Sequence, residues 1–190
     1  ARYFNGHDWV GPIEMNVEHK SLFSGGLGPK TDEMGTLMWY DPNDRNRFFV
    51  ETLSRMKPYL QEINFRGDID INCIVNKSGI YPLEVTARFG SPSTQLQSAL
   101  HISPWGEFLK AIANGEAYDL KYRNGFGIIV LIATPPFPYM AISKRYSMQG
   151  TGIFFSEKLS QGEKSRIHFE EISKREDGSL YISGTRGFVL

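Results

Sequence analysis

Five polar side chains that could hold a cation alternate with apolar residues in the middle of the chain. Asp68, Asp70 and Asn72 occupy every second position before a short turn, and Glu84 and Thr86 do the same after it. A period of two places such side chains on one face of an extended strand. Oxygen atoms of carboxylate, amide and hydroxyl groups suit hard cations such as Mg²⁺. The pattern predicts a cation-binding face, with an ordinary solvated polar face as the alternative.

The two alternating runs flank Lys77-Ser78-Gly79 and predict a β-hairpin. With these residues as a three-residue loop, the glycine would adopt the left-handed conformation that such loops favour. The predicted register places Asn72 opposite Glu84, and Asp70 opposite Thr86. The other face of the hairpin is predicted to be core, and it carries Ile69, Ile71, Cys73, Val75, Leu83, Val85 and Ala87.

Arg88, Phe89 and Gly90 directly follow the second strand of this hairpin. The arginine can hold a phosphate or carboxylate group through charge-assisted hydrogen bonds. The glycine permits a backbone turn close to a ligand. A cation and a turn at the end of a strand that carries oxygen ligands favour a binding site over a solvated surface.

A glycine-rich stretch, residues 25–35, contains four glycines in eleven residues and shows no periodicity. It predicts an ordered binding loop, with a flexible linker as the alternative. It lacks the Gly-Lys-Ser/Thr ending of a phosphate-binding P-loop. His19, shortly before it, could contact a substrate or be an ordinary loop histidine.

Composition excludes several classes of function. The 190 residues have a formal net charge of zero, so no general attraction to nucleic acid or to an anionic membrane is expected. No apolar run reaches the ~18 residues of a membrane span. The single cysteine, Cys73, cannot form an intrachain disulfide, which favours a reducing, cytoplasmic location.

The first part of the chain mixes strands and helices. Residues 3–18 predict two strands joined by a turn at residues 5–8, and residues 41–44 predict the start of a helix that Pro58 should kink or end. Residues 94–100 predict a short helix. A further helix is predicted to start at a serine cap, Ser103, and to stop at Gly115.

The second part of the chain is predicted to be rich in strands. Residues 127–133 form an apolar run typical of a buried strand. Several short strands follow, with hairpin turns at residues 176–178 and 185–187. The prediction is therefore an α+β fold with two domains, residues 1–117 and 118–190.

Two motifs resemble the glycinamide ribonucleotide synthetase (phosphoribosylamine–glycine ligase) family of ATP-grasp enzymes. Residues 84–95 read Glu-Val-Thr-Ala-Arg-Phe-Gly-Ser-Pro-Ser-Thr-Gln, where the family has Glu-Phe-Asn-Cys-Arg-Phe-Gly-Asp-Pro-Glu-Thr-Gln. Residues 18–20 and 28–35 are similar to the family's Asp-His-Lys and Gly-Pro-Asn-Thr-Gly-Gly-Met-Gly. The resemblance covers nearly the whole chain but only the latter part of a family member. It implies the carboxyl-terminal portion of an ATP-grasp domain, an antiparallel sheet with helices, followed by a small antiparallel β domain.

The resemblance also implies roles for individual residues. Glu84 is expected to be the first ligand of the Mg²⁺ that accompanies ATP, with Mn²⁺ as a substitute. Thr86 takes the place of a second ligand that is asparagine in the family, and Asn72 is expected to compensate. Arg88 and Lys20 are expected to act on phosphate or carboxylate groups. The residues expected to bind substrate are His19, Gly35 and Gly90.

The implied reaction is the ATP-dependent joining of glycine to phosphoribosylamine in purine biosynthesis. The ATP-grasp segment that carries the lysines over the adenine nucleotide has no counterpart here, and Ala1 is not a methionine. The chain is therefore expected to be an inactive fragment that works with the remainder of a parent polypeptide.

Four other departures from the family pattern keep two alternatives open. Ser91 and Ser93 replace an aspartate and a glutamate, and Asp32 and Glu33 replace two glycines. These changes favour a related ligase with another acid or amine substrate. The other alternative is a non-catalytic ATP-grasp relic that acts as a binding module.

Overall fold

The computed structural model describes residues 1–139, 147–184 and 188–189. It has antiparallel sheets with a few short helices, which confirms the predicted α+β class. The chain divides into two compact units, the first formed by residues 1–17 and 37–128, the second by residues 18–36 and 129–190. The predicted domain boundary near Ala117 stays a prediction. Within the described ranges, no helix is long and apolar enough to cross a membrane.

The secondary structure consists of short elements, apart from two long antiparallel pairs of strands. In chain order the elements are β1 (Arg2–Asn5), β2 (Trp9–Val10), β3 (Ile13–Phe23), β4 (Leu27–Asp41), α1 (Arg47–Glu51), α2 (Lys57–Glu62), β5 (Arg66–Asn76), β6 (Gly79–Thr86), α3 (Ser93–Leu100), α4 (Trp105–Asn114), β7 (Gly127–Val130), β8 (Ile132–Ala133), β9 (Gly152–Ile153), α5 (Gln161–Lys164), β10 (Phe169–Glu170), β11 (Ile172–Lys174), β12 (Leu180–Ile182) and β13 (Phe188–Val189).

Strand β1 lies at the centre of the first unit, in a sheet of order β2-β1-β5-β6. All four residues of β1 are buried, and successive side chains of a strand point to opposite faces of its sheet. Phe4 belongs to one apolar cluster, with Ile13, Phe49, Leu53, Leu60 and Ile69. Tyr3 belongs to another, with Val10, Phe108, Ile112 and Leu120. This strand therefore packs against a hydrophobic cluster on each side.

An asparagine cap, a proline and a glycine mark the ends of helices in the first unit. Asn46 caps α1 by accepting hydrogen bonds from two main-chain amides, and Pro58 lies in the first turn of α2. The helix predicted from residues 41–44 is interrupted, but α1 already ends at Glu51, well before the proline, and Pro58 marks the start of α2. Helix α4 ends at Gly115, whose φ of 79° is left-handed, as predicted. It begins at Trp105, one residue later than a cap at Ser103 would place it.

The glycine-rich stretch is a β-hairpin and not the irregular loop that was predicted, and its binding role stays a prediction. Strands β3 and β4 run through it and are joined by a single turn of 3₁₀ helix, Ser24–Gly26. Gly25 and Gly26 have positive φ angles there, and a Cβ on either would meet only open space. The glycines had suggested an irregular backbone, but antiparallel pairing extends almost to the turn.

Short antiparallel strands form two small sheets in the second unit, with orders β10-β13-β8 and β11-β12-β9. The predicted turn at residues 176–178 is confirmed, since the Arg175 amide donates to the Ser179 carbonyl across it. The predicted turn at residues 185–187 lies outside the described residues. The apolar run 127–133 is not buried as predicted, because Ile128, Val130 and Ile132 are all exposed.

Candidate functional site

The predicted polar face lies on the β5–β6 hairpin in the predicted register. Asp70 pairs with Thr86, and Asn72 pairs with Glu84. The side-chain amide of Asn72 donates to Oε1 of Glu84 at 3.0 Å. The three residues expected to hold a metal ion, Glu84, Thr86 and Asn72, therefore lie side by side on two paired strands.

The turn of this hairpin differs from the prediction. Asn76 pairs directly with Gly79, which leaves two residues in the turn, and the left-handed conformation predicted for Gly79 is wrong. The Asn76 side chain accepts hydrogen bonds from the main-chain amides of Ser78 and Gly79 at 2.8 and 3.2 Å. Leu83 is an extra, unpaired residue in β6, since Glu84 and Pro82 pair with consecutive residues of β5. This bulge offsets the shorter turn, so the polar pairs keep the predicted register.

The oxygen atoms of this face fit a hydrated Mg²⁺. Glu84 is exposed, and Asn72 and Thr86 are partly exposed, so a cation could keep most of its water ligands here. Among the described residues, no group of three or more His, Cys, Asp or Glu side chains could hold a metal ion. A cation on this face would therefore depend on amide and hydroxyl oxygens as well as on the Glu84 carboxylate.

Arg88 and Gly90 follow at the end of β6. The Arg88 side chain is exposed, and its Nη1 donates to the Phe89 carbonyl at 2.9 Å. The Gly90 carbonyl accepts from the Thr94 amide at 3.1 Å and from its hydroxyl, which fixes the first turn of α3 to this loop. A Cβ at Gly90 would lie 2.2 Å from the Ser93 hydroxyl oxygen, so a larger residue would require Ser93 to move.

Lys20, His19 and Gly35 lie in the second unit, on β3 and β4. The Lys20 ammonium contacts the Glu18 carboxylate at 2.8 Å and the Asp32 carbonyl at 2.9 Å. The His19 Nε2 lies 3.1 Å from the Phe23 carbonyl. A Cβ at Gly35 would lie 3.0 Å from the Ile129 carbonyl, so close strand packing accounts for this glycine. The substrate-binding and catalytic roles of the three residues stay predictions.

Sequence reasoning missed a buried polar group in the first unit. Glu14 on β3, Asp68 on β5 and Gln97 on α3 are only 3%, 6% and 1% exposed. The Gln97 amide donates to Glu14 Oε2, and to Asp68 Oδ2 at 3.5 Å. Burial raises the pKa of Glu14 to about 7 and that of Asp68 to about 6. The available signal was Gln97 itself, which occurs on the same buried side of α3 as Leu96 and Leu100.

Aromatic residues lie close to this polar group. Burial and the Glu14 and Asp68 carboxylates raise the pKa of the Tyr3 and Tyr40 phenols, so both phenols are neutral. Burial lowers the pKa of His101 to about 4. The neutral His101 ring stacks on Trp105 with 4.0 Å between ring centroids. The aromatic cluster therefore adds no positive charge to the buried carboxyl groups.

Comparison with known proteins points to one enzyme. The chain is 27% identical to phosphoribosylamine–glycine ligase of Clostridium acetobutylicum over 192 aligned residues, covering 94% of this chain and 44% of the relative. It is 30% identical to the enzyme of Mycobacterium tuberculosis over 141 residues, covering 68% and 32%. The predicted resemblance is confirmed. No protein-family model matches the chain.

A solved structure extends the similarity to the fold. The crystal structure of phosphoribosylamine–glycine ligase from Thermotoga maritima matches with a TM-score of 0.62 at 21% identity, covering 98% of this chain and 45% of that one. The fold is therefore that of a corresponding part of this ligase. The chain spans less than half the length of the curated relatives that it matches.

Proposed function

We propose that this chain is the carboxyl-terminal part of an ATP-dependent ligase that joins glycine to phosphoribosylamine in purine biosynthesis. Relatives that align with nearly the whole chain are named phosphoribosylamine–glycine ligase. The observation that carries the proposal within the molecule is the pairing of Asn72 with Glu84, which puts oxygen ligands side by side on the hairpin whose second strand leads to Arg88. The natural setting is the cytoplasm, and the remainder of a parent polypeptide completes the nucleotide site.

The proposed chemistry has two steps. The glycine carboxylate attacks the terminal phosphorus of ATP, which forms an acyl phosphate and releases ADP. The amine of phosphoribosylamine then attacks the acyl carbon, giving an amide and phosphate and releasing a proton. Such transfers depend mainly on positioning and on positive charge around the moving phosphoryl group.

The chain's own residues divide this work. Glu84, Asn72 and Thr86 would hold Mg²⁺, or Mn²⁺ in its place, which supplies charge neutralisation at the phosphate oxygens. Arg88 in the first unit would orient a phosphate or carboxylate group by charge-assisted hydrogen bonds, and Lys20 in the second unit is proposed to act on a group of the same kind. His19, Gly35 and Gly90 complete the proposed substrate contacts.

A second candidate is a related ligase with another acid or amine substrate. Ser91 and Ser93 have shorter, uncharged side chains where the family has carboxylates, and Asp32 and Glu33 add carboxylates to strand β4. These changes alter charge at both predicted substrate-binding segments. The same changes, together with Thr86, are also compatible with a relic that binds nucleotide without turnover.

The test is an assay of ADP release by the complete product of the reading frame that contains this chain. We expect release with glycine plus phosphoribosylamine, and a loss of at least ~100-fold in kcat/KM for Glu84→Gln. Glu62→Gln is the matched control, because Glu62 is an exposed glutamate on α2. The 190-residue chain alone should show no turnover.

Other results would separate the alternatives. Release with a different acid or amine would replace the proposed substrates, and saturable Mg²⁺–ATP binding without release would establish a relic. Turnover of ~10 s⁻¹ by the chain alone would contradict the need for a further segment.

A further inference from the structure

Three buried polar side chains from three different elements meet in the first unit, and the proposed reaction uses none of them. Glu14 comes from β3, Asp68 from β5 and Gln97 from α3. The Gln97 amide nitrogen bridges the two carboxyl groups. We call these three residues the carboxyl clamp.

Two acceptors of the carboxyl clamp have no donor, although the buried Tyr3 and Tyr40 hydroxyls nearby also have no hydrogen-bond partner in the part of the chain that the structure describes. Among the described residues, neither Asp68 Oδ1 nor Gln97 Oε1 has a hydrogen-bond partner, and each exposes less than 1 Å². A buried acceptor without a donor is costly. A proton on one carboxyl group turns an acceptor into a donor and so reduces the number of acceptors that lack one.

The charges around the carboxyl clamp favour retention of that proton. Burial is the main cause of the raised pKa values of Glu14 and Asp68, and the Asp70 carboxylate raises both further. In the 190-residue chain, the terminal ammonium at Ala1 opposes this effect by lowering both pKa values. However, it donates to the main-chain carbonyl of Glu14 at 2.8 Å and lies 3.4 Å from the Asp70 carboxylate. The neighbouring phenols, Tyr3 and Tyr40, are neutral.

The carboxyl clamp attaches a helix that begins at the candidate site. Helix α3 starts at Ser93, and the Gly90 carbonyl accepts from the Thr94 amide in its first turn. Gln97 lies one turn further along the same helix and is almost completely buried. If the hydrogen bonds of Gln97 weaken, helix α3 is held less firmly, and so is the loop with Arg88 and Gly90 that is bonded to its first turn.

We propose that Glu14, Asp68 and Gln97 share one retained proton near neutral pH and thereby fix helix α3, with the Arg88–Gly90 loop, to strands β3 and β5. Loss of the proton to solvent leaves two carboxylates facing each other in a buried site, where like charges repel strongly. The helix then detaches more readily. This proposal does not depend on the ligase proposal, because its tests use no substrate.

The first test follows the carboxyl carbons of Glu14 and Asp68 by NMR across a pH titration of the 190-residue chain. We expect two coupled steps, with at least one midpoint above pH 6, because interacting carboxyl groups release protons one after the other. In Glu14→Gln, Asp68 should titrate in a single step at lower pH. Midpoints below pH 5 for both groups in the unchanged protein would overturn the proposal.

The second test measures hydrogen exchange of α3 amides, with α4 amides as an internal reference. The carboxyl clamp stabilises the packing of helix α3 on strands β3 and β5 fully below about pH 4, because both carboxyl groups are protonated there even when the helix is detached. This stabilisation is lost as the pH rises through about 7. We expect the protection of α3, relative to α4, to fall about tenfold per pH unit between pH 5 and 7 and to level off above.

Two variants and a control complete the exchange experiment. Glu14→Gln and Asp68→Asn are close in shape to the protonated residues, so each should make the protection of α3 nearly independent of pH. Glu62→Gln removes an exposed carboxylate and should leave the fall unchanged. Equal pH dependence of α3 and α4, or a fall that persists in both clamp variants, would show that these carboxyl groups do not hold the helix.

Discussion

The two ends of the β5–β6 hairpin share one alternating pattern but have opposite surroundings. At its root, Ile69 is 2% exposed and packs in an apolar cluster, beside the buried Asp68. Near its tip, Val75, which shares a face with Ile69, is 48% exposed, and Ile74 and Tyr81 on the opposite face are exposed as well. Alternation therefore shows which side chains share a face, but the neighbouring elements decide whether that face is covered.

The difference also separates two kinds of polar residue on one face. Asp68 at the root is buried and belongs to the carboxyl clamp, whereas Glu84 is exposed and available to a cation. Burial raises the pKa of Asp68, while the Glu84 carboxylate remains in contact with solvent. Identical spacing can therefore produce a structural carboxyl group at the root of a hairpin and a candidate ligand a few residues further along.

The largest expected contrast is between two isoleucines of the same strand. Ile69→Ala should lower the free energy of unfolding by ~2–4 kcal/mol, because it leaves a cavity in a packed cluster. Ile74→Ala should cost no more than ~0.5 kcal/mol, because its side chain is already largely in water. Urea unfolding of both variants measures the difference. Similar losses would mean that the tip is covered in solution.

The bulge gives a second and smaller contrast. Deleting Leu83, which is unpaired and 64% exposed, should cost about 1 kcal/mol and keep Asn72 opposite Glu84. Deleting Val85 instead removes a paired residue and would move Thr86 away from Asp70, turning side chains to the wrong face.

Cross-strand NMR contacts would check the register in both deletion variants. We expect the Asn72–Glu84 contacts to persist without Leu83, and the Asp70–Thr86 contacts to disappear without Val85. Loss of the Asn72–Glu84 contacts on deletion of Leu83 would show that the bulge sets the register and does not merely accommodate it.

The smallest effect is expected at the turn. Asn76→Ala removes the acceptor for two main-chain amides, but solvent can replace it at this exposed end, so we expect a loss of ~0.5–1 kcal/mol. Thermal unfolding, with Asn76→Asp as the variant that retains an acceptor, measures this loss. A loss as large as that of Ile69→Ala would show that the turn, and not the packed root, stabilises the hairpin.

Local chemistry allowed much of the first unit to be predicted. Period-two alternation identified the hairpin and its polar pairs, and Pro58 and Gly115 marked helix boundaries through their own backbone preferences. The carboxyl clamp could not be predicted, because Glu14, Asp68 and Gln97 are far apart in sequence and meet only through the packing of three elements. The glycines of residues 25–35 misled for another reason: Gly25, Gly26 and Gly28 do adopt positive φ angles, but at a tight turn between two strands and not in a long irregular loop.

The second unit has a consequence for how the protein is made. Its sheet strand β4 is hydrogen-bonded to β7, and the unit combines residues 18–36 with residues 129–190. During synthesis at ~5–20 residues per second, residues 18–36 are made roughly 5–20 s before residues 129 onward, with which they form the unit. Throughout that time one edge of β4 can pair with any other nascent strand nearby. Slower or pausing ribosomes prolong this exposure, so translation speed affects how much of the chain reaches its native pairing.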